Sequence, residues 1–187
     1  MKAIIFDLYG VLALNGWQAF KAKHFTTREE VWDRVFELSK QVDSGQIPYE
    51  DLVRYTAEQT GETEAVVRHE MEHTLPNTKL LNYIATSLKG KYKLGILSNS
   101  GKDAVLNIFT SEQRELFDAV VFSHKVGFIK PQRDIYLAIT DLLGVEPNEC
   151  VLVDDQGPHA SGGRDVGMHA ILYANVLELK ENLKDLL

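Results

Sequence analysis

The sequence predicts an α/β protein, a doubly wound parallel sheet carrying an inserted small helical cap. Three observations predict it. Short apolar runs recur with helix-patterned segments between them, the alternation that builds parallel sheets through crossover helices. Three of these runs end in polar residues: Asp7 after Ala3-Ile4-Ile5-Phe6, Ser98 and Asn99 after Lys93-Leu94-Gly95-Ile96-Leu97, and Asp154 and Asp155 after Cys150-Val151-Leu152-Val153. The stretch 15–75 interrupts the alternation, having no strand-like run and reading as helices alone.

The elements follow in order. The opening apolar run closes on Gly10 and reads as a buried parallel strand. In the interrupting stretch, Thr27 to Gln41 is a helix. Thr27 and Glu30 give it a capping-box pattern, and Val31, Val35, Phe36 and Leu38 form its apolar face. Pro48 to Gln59 and Thr63 to His73 are further helices, the last capped by Thr63. From residue 77 the alternation resumes. Helices are expected at Asn77–Leu88, Lys102–Phe109, Pro131–Leu143, 158–166 and 175–186, and strands at 93–97, 118–122, 150–153 and Met168–Leu172. Pro131 suits the first helical turn and Gly144 the helix end. The partition is a core of residues 1–14 and 77–187 with a helical cap of residues 15–76. No internal repeat or low-complexity linker is evident.

Composition narrows the function. An apolar fraction of 44% over 187 residues supports one core domain with a small insertion. A net charge of −7 disfavours nucleic acid and anionic membrane surfaces as partners. No apolar run approaches a membrane span, and the N-terminus enters a strand without a signal-peptide pattern, so the expected compartment is cytoplasmic. Cys150 is the single cysteine. It lies beside a core strand and reads as a buried structural thiol.

In a parallel sheet the carboxyl ends of the strands share one edge, where open α/β sheets bind ligands. Asp7, Ser98, Asn99, Asp154 and Asp155 can therefore converge. Asp7 alone could be a turn residue or a nucleophile toward phosphorus. With its neighbours the set reads as a nucleophilic carboxylate, donors for a phosphoryl oxygen, and carboxylates for a hard cation. Lys130, in Gly127-Phe128-Ile129-Lys130-Pro131 after the apolar Ala119-Val120-Val121-Phe122, adds positive charge.

The order D-x-x-G-V-L, hydrophobic-S-N, K-P and hydrophobic-D-D, with the segment Asp154-Asp155-Gln156-Gly157-Pro158-His159, resembles the haloacid dehalogenase-like (HAD) hydrolase superfamily over residues 1 to about 180. Val11-Leu12-Ala13-Leu14, Gly45-Gln46-Ile47 and Lys130-Pro131-Gln132-Arg133-Asp134-Ile135-Tyr136 are similar to the phosphatase branch. That branch includes the N-terminal domain of soluble epoxide hydrolases and bacterial sugar-1-phosphate phosphatases. The resemblance implies a Rossmann-like core and a magnesium-dependent phosphatase acting on a small phosphorylated metabolite. Asp7 would be the nucleophile, forming an aspartyl-phosphate. Ser98 and Asn99 would bind the phosphoryl group, and Lys130 would offset the negative charge, with His124 and Lys125 as other candidates in that loop. Asp7, the Tyr9 carbonyl and Asp155 would hold Mg2+, and Asp154 would do so directly or through water.

Tyr9 departs from the pattern. Phosphatases of the superfamily carry an acid two residues after the nucleophile, and haloacid dehalogenases carry tyrosine there. A 2-haloacid dehalogenase is therefore an alternative, opposed by Asp154-Asp155, and a non-catalytic binding protein of the same fold is another. Tyr9 is either catalytic or structural. His159 orients Asp155 or lies on a helix surface. Trp17, Phe20, Trp32, Tyr49 and Tyr55 read mainly as cap packing. His69 and His73 share a helix face at a zinc-compatible spacing without an evident third ligand, and His24 has no assigned role.

Overall fold

The computed structural model describes residues 1–14, 16–101, 103 and 105–187. Five strands form the sheet: β1 (Ala3–Phe6), β2 (Lys93–Ser98), β3 (Ala119–Phe122), β4 (Cys150–Asp154) and β5 (His169–Leu172). All neighbours pair in parallel, in the order β3-β2-β1-β4-β5. The chain runs outward from β1 through β2 to β3, then returns to the other side of β1 for β4. The strand order thus reverses beside the carboxyl end of β1, where a crevice opens. Asp7 is the residue after that end, and its N–H donates to the Val153 carbonyl at 2.9 Å.

Both faces of the sheet are covered, which explains why the strands read as continuous apolar runs rather than alternating ones. Ile4 and Phe6 pack on one face with Leu94, Ile96, Val151 and Val153. The helix α5 (Thr78–Tyr83), a π-helical turn at Ile84–Leu88 and the C-terminal α11 (Val176–Lys184) cover that side through Leu80, Ile84, Leu88, Leu179 and Leu183. Ala3 and Ile5 point to the opposite face, against Ile135, Tyr136, Ile139 and Leu143 of α9 (Arg133–Leu143). Burying each large aliphatic side chain contributes roughly 2 kcal/mol.

Between β1 and α5 lie four helices: α1 (Trp17–His24), α2 (Glu29–Asp43), α3 (Tyr49–Thr60) and α4 (Glu64–Glu72). They have a hydrophobic cluster of their own, centred on Phe20, Phe25, Trp32, Val35, Leu52 and Val53. The chain leaves the sheet and returns to it along adjacent paths: Leu14 N–H donates to the Leu75 carbonyl and Asn77 N–H to the Leu12 carbonyl, each at 2.8 Å.

Several elements differ from expectation. α1 was not anticipated, and its preceding residue Gly16 supplies no side-chain cap. The Thr27 capping box does not form. α2 starts at Glu29 after Arg28, whose guanidinium instead donates to the carbonyl and Oε1 of Gln59 on α3. α2 also runs two residues beyond Gln41, which carries Val42 and Asp43 over the sheet edge. α9 begins at Arg133, because Gln132 is extended and leaves Pro131 in the preceding loop. The helix expected from Lys102 is described as the short α6 (Val105–Ile108), followed by α7 (Ser111–Arg114), which Thr110 and Gln113 close with a capping box. Asn15, where the inserted segment was expected to begin, and Lys102 and Ala104 of that expected helix lie outside the described residues. A further short helix, α8 (Ser123–Val126), follows β3, and α10 (Gly157–Asp165) follows β4. The caps at Thr63 and Gly144 form where expected, and Asn77 caps α5, accepting the Leu80 N–H. Cys150 is fully buried. Among the described residues no helix is long and apolar enough to cross a membrane.

Candidate active site

Three strand ends bring the candidate residues together. Asp7 follows β1, Asn99 follows β2, and Asp154 ends β4 with Asp155 next. The register Phe6↔Ile96 and Phe6↔Val153 puts those ends level across the three central strands. Above them lies a cavity of about 570 Å³. Asp7, Asn99, Lys130 and His159 line its sheet side, and Trp17, Phe36, Lys40, Asp43 and Tyr49 come from the helical segment.

Lys130 is the electrostatic centre of the site. Its side chain is 1% exposed, and Nζ donates to Asp7 Oδ1 at 2.8 Å and to Asp154 Oδ2 at 2.6 Å. Burial alone would drive its proton off, but Asp7 and Asp154 outweigh that and raise its pKa. Asn99 fixes the backbone beneath it: Oδ1 accepts the Lys130 N–H at 2.8 Å, and Nδ2 donates to the Lys130 carbonyl at 3.1 Å. The other candidates in that loop are engaged elsewhere. Lys125 Nζ is 2.7 Å from Asp103 Oδ2, and His124 Nε2 is 3.4 Å from Asp103 Oδ1.

The three aspartates have different environments. Burial pushes Asp7 up to about 6, with Lys130 pulling the other way. Burial also acts on Asp154, but Lys130 and His159 overcome it and hold this carboxyl at about 2. Both Asp154 oxygens are engaged, since Oδ1 accepts the Gln156 N–H at 2.9 Å while Oδ2 faces Lys130. His159 Nδ1 lies 3.3 Å from Asp154 Oδ1 without hydrogen-bond geometry, so it approaches Asp154 rather than the expected Asp155. Asp155 is raised by burial and then by Asp154, and its Oδ1 is buried without a hydrogen-bond partner.

The donor set fits a hard cation. One oxygen from each of Asp7, Asp154 and Asp155 lies within 4.8 Å of the other two. Magnesium takes one or two carboxylates and keeps waters, which suits an all-oxygen cluster with an orphaned carboxylate atom. Gly10 makes room for the Asp155 carboxylate. Its φ is +92°, and a Cβ added there would strike the Asp155 carboxylate. By contrast, the His69 and His73 rings stand 5.5 Å apart and join no such cluster among the described residues.

Ser98 is fully buried, with its hydroxyl 3.4 Å from the Asn99 carbonyl. Tyr9 lines the cavity, and its hydroxyl hydrogen-bonds with Ser100. Burial pushes that phenol up to about 12. His24, unassigned from the sequence, joins Glu70 of α4, with Nε2 at 2.6 Å from Oε2.

Asp43, at the end of α2, was missed by reasoning from sequence. It lines the cavity together with Asp7 and Lys130. Its side chain accepts the Gly101 N–H, and burial pushes its carboxyl up to about 7. Its backbone carbonyl accepts the Ser123 hydroxyl at 2.5 Å, and that hydroxyl accepts the Ser100 N–H at 2.9 Å. Gly101 lets the two segments meet, because a Cβ added there would strike Val42 Cγ1. The available signal was Asp43-Ser44-Gly45, a helix-ending pattern that leaves an acid on the last helical residue.

The family model of haloacid dehalogenase-like hydrolases matches residues 1–167. Bifunctional epoxide hydrolase 2 of Sus scrofa is 32% identical over 202 residues, covering 92% of this chain and 36% of that protein. The chain therefore spans about a third of that relative's length. N-acylneuraminate-9-phosphatase of Mus musculus is 30% identical over 92 residues, covering 48% of this chain and 37% of that protein. A HAD family enzyme of Bacteroides thetaiotaomicron, solved in complex with magnesium and inorganic phosphate, superposes with a TM-score of 0.75 at 22% identity. The match covers 96% of this chain and 98% of that one.

Proposed function

Since the chain belongs to the haloacid dehalogenase-like hydrolase family, we propose that it is a magnesium-dependent phosphatase that hydrolyses a small phosphomonoester through an aspartyl-phosphate on Asp7. The observation that carries this reading is the buried cluster of Asp7, Asp154 and Asp155 around Lys130 at one strand-end crevice. Residues 15–76 serve as a cap over that crevice.

Asp7 attacks phosphorus in line with the leaving oxygen. Its carboxylate is aimed by Lys130, whose ammonium also offsets the charge of the incoming phosphoryl group. Asn99 holds Lys130 in place through both backbone groups. Ser98 and Asn99 are the candidate donors to the phosphoryl oxygens. Asp155 is the better direct metal ligand, since its Oδ1 has no other partner while both Asp154 oxygens are engaged. Asp7 and the Tyr9 carbonyl complete the proposed set. Bound there, Mg2+ would neutralise the crowded carboxylates and the phosphoryl charge. The phosphatase relative and the phosphate-bound structural relative support the choice of substrate class.

Tyr9 favours a second reading, hydrolytic dehalogenation, but the acidic trio supports phosphoryl transfer because a metal-free dehalogenation has no use for it. Phosphate release from a panel of sugar phosphates, nucleotides and acyl phosphates, with Mg2+ and with EDTA, tests the proposal. Release that requires Mg2+ and vanishes in a folded Asp7→Asn variant is expected. Near-normal release by Asp7→Asn would refute it.

A further inference from the structure

A phosphatase that forms an aspartyl-phosphate needs an acid to protonate the departing oxygen and a base to activate water. The residue two after Asp7 is Tyr9, whose hydroxyl is bound to Ser100, and a phenol, with an ordinary pKa of about 10, serves poorly in either task near neutral pH. In-line attack from Asp7 sends the leaving oxygen to the far side of phosphorus. That side of the cavity belongs to the helical segment, where Asp43 is the carboxylic acid among the lining residues.

We infer that Asp43 is the general acid and base of the reaction, delivered to the sheet-edge site by the last turn of α2. The inference rests on the phosphatase reading above. In the first step Asp7 Oδ bonds to phosphorus, the phosphorus–oxygen bond to the leaving group breaks, and the Asp43 carboxyl proton passes to that oxygen. Alcohol, aspartyl-phosphate and Asp43 carboxylate result. In the second step Asp43 takes a proton from water as the water oxygen bonds to phosphorus. The bond to Asp7 breaks, inorganic phosphate leaves, and protonated Asp43 is restored.

The placement is built from both sides. Gly101 N–H binds the Asp43 side chain, Ser123 binds its backbone, and close packing of Val42 on Gly101 seats the helix end. On the sheet side Asp7, Lys130 and Tyr9 line the same cavity. Its own helix contributes Lys40 to the cavity and α3 contributes Tyr49. α8, packed against α2, carries His124, whose Nδ1 lies 2.6 Å from the Ser100 carbonyl, and Lys125, held by Asp103. Burial in this setting, opposed by Gly101 N–H and Lys130, leaves a carboxyl that titrates at about 7 and can both give and take a proton at neutral pH.

The test is kcat/KM with Mg2+ for phosphate esters of graded leaving-group basicity, from p-nitrophenyl through phenyl to alkyl phosphates, in wild type, Asp43→Asn and Asp43→Glu. Asp43→Asn should lose about a hundredfold or more on alkyl phosphates and progressively less as the leaving group improves, the range expected for a lost general acid. Asp43→Glu should recover part of the alkyl activity. With p-nitrophenyl phosphate, Asp43→Asn should show a burst of p-nitrophenol followed by slow turnover, because water attack has lost its base. In wild type, kcat/KM for the alkyl ester should fall as pH rises through about 7, where Asp43 loses its proton, and that measurement stands even if a variant fails to fold. Equal sensitivity to the leaving group in wild type and Asp43→Asn, or a flat alkaline limb in wild type, would overturn the role of Asp43 and leave the phosphatase reading standing. Absence of phosphate release from every ester by wild type would overturn both.

Discussion

The side chain of Asn99 grips the backbone of Lys130 at both ends, accepting its N–H at 2.8 Å and donating to its carbonyl at 3.1 Å. This pair joins the end of β2 to the loop before α9, so the lysine that faces Asp7 and Asp154 is positioned from a third strand-end. Asn99→Ala should therefore destabilise the metal-free protein by about 1–2 kcal/mol, since it strips two partly buried backbone groups of partners. Urea unfolding at pH 7 reads this directly. An unchanged midpoint would show that Asn99 serves substrate alone.

Lys130→Met should cost more. It keeps length and apolar volume but leaves Asp7 and Asp154 buried without their cation. Removing one partner of a buried ion pair typically costs about 3–5 kcal/mol. Adding Asp154→Asn should restore part of that loss, because one of the unpaired charges is then gone. If the double variant were no more stable than Lys130→Met, the two groups would not be coupled as described.

Gly10→Ala should act on the metal site through the backbone. A residue with a side chain at φ +92° is strained by about 1–3 kcal/mol, and its Cβ would displace the Asp155 carboxylate. Mg2+ affinity measured by calorimetry should fall about tenfold or more, roughly 1.4 kcal/mol. Unaltered affinity would remove Asp155 from the ligand set.

The strands and their terminal chemistry were legible in the sequence because a strand buried on both faces leaves an unbroken apolar run, and a polar residue after it can lie at the sheet edge. Asp7, Asn99, Asp154 and Asp155 were readable for that reason. Lys130 was harder, since His124 and Lys125 share its loop. The contacts that occupy those two, His124 with the Ser100 carbonyl and Lys125 with Asp103, are tertiary and without a local signature. Asp43 was not legible. Its place depends on α2 extending past Gln41 and on Gly101 admitting Val42, and neither depends on neighbours in the sequence. The expected Thr27 cap failed for a similar reason: Arg28 finds Gln59 on the next helix and begins α2 without it.

The helical segment offers a test of stability against pH. Glu70 on α4 binds Lys23 and His24 of α1, with His24 Nε2 at 2.6 Å from its Oε2. The two hydrogen bonds, from Lys23 first and then His24, hold the Glu70 carboxyl below its ordinary value of 4.5. A carboxyl depressed in the folded state stabilises above the unfolded value, and that contribution is lost as pH falls through the folded one. Glu70→Gln should therefore be less stable than wild type by about 0.5–1 kcal/mol at pH 7, the range of a partly exposed ion pair. The difference should shrink as pH is lowered below the ordinary value of 4.5 and through the lower folded one, where wild-type Glu70 takes up its proton. It should also shrink in about 1 M salt, which screens exposed charges over about 3 Å. Urea unfolding of both proteins at pH 7 and pH 3 measures the two differences. A deficit that stayed constant between those pH values would assign the loss to packing of the side chain and not to its charge.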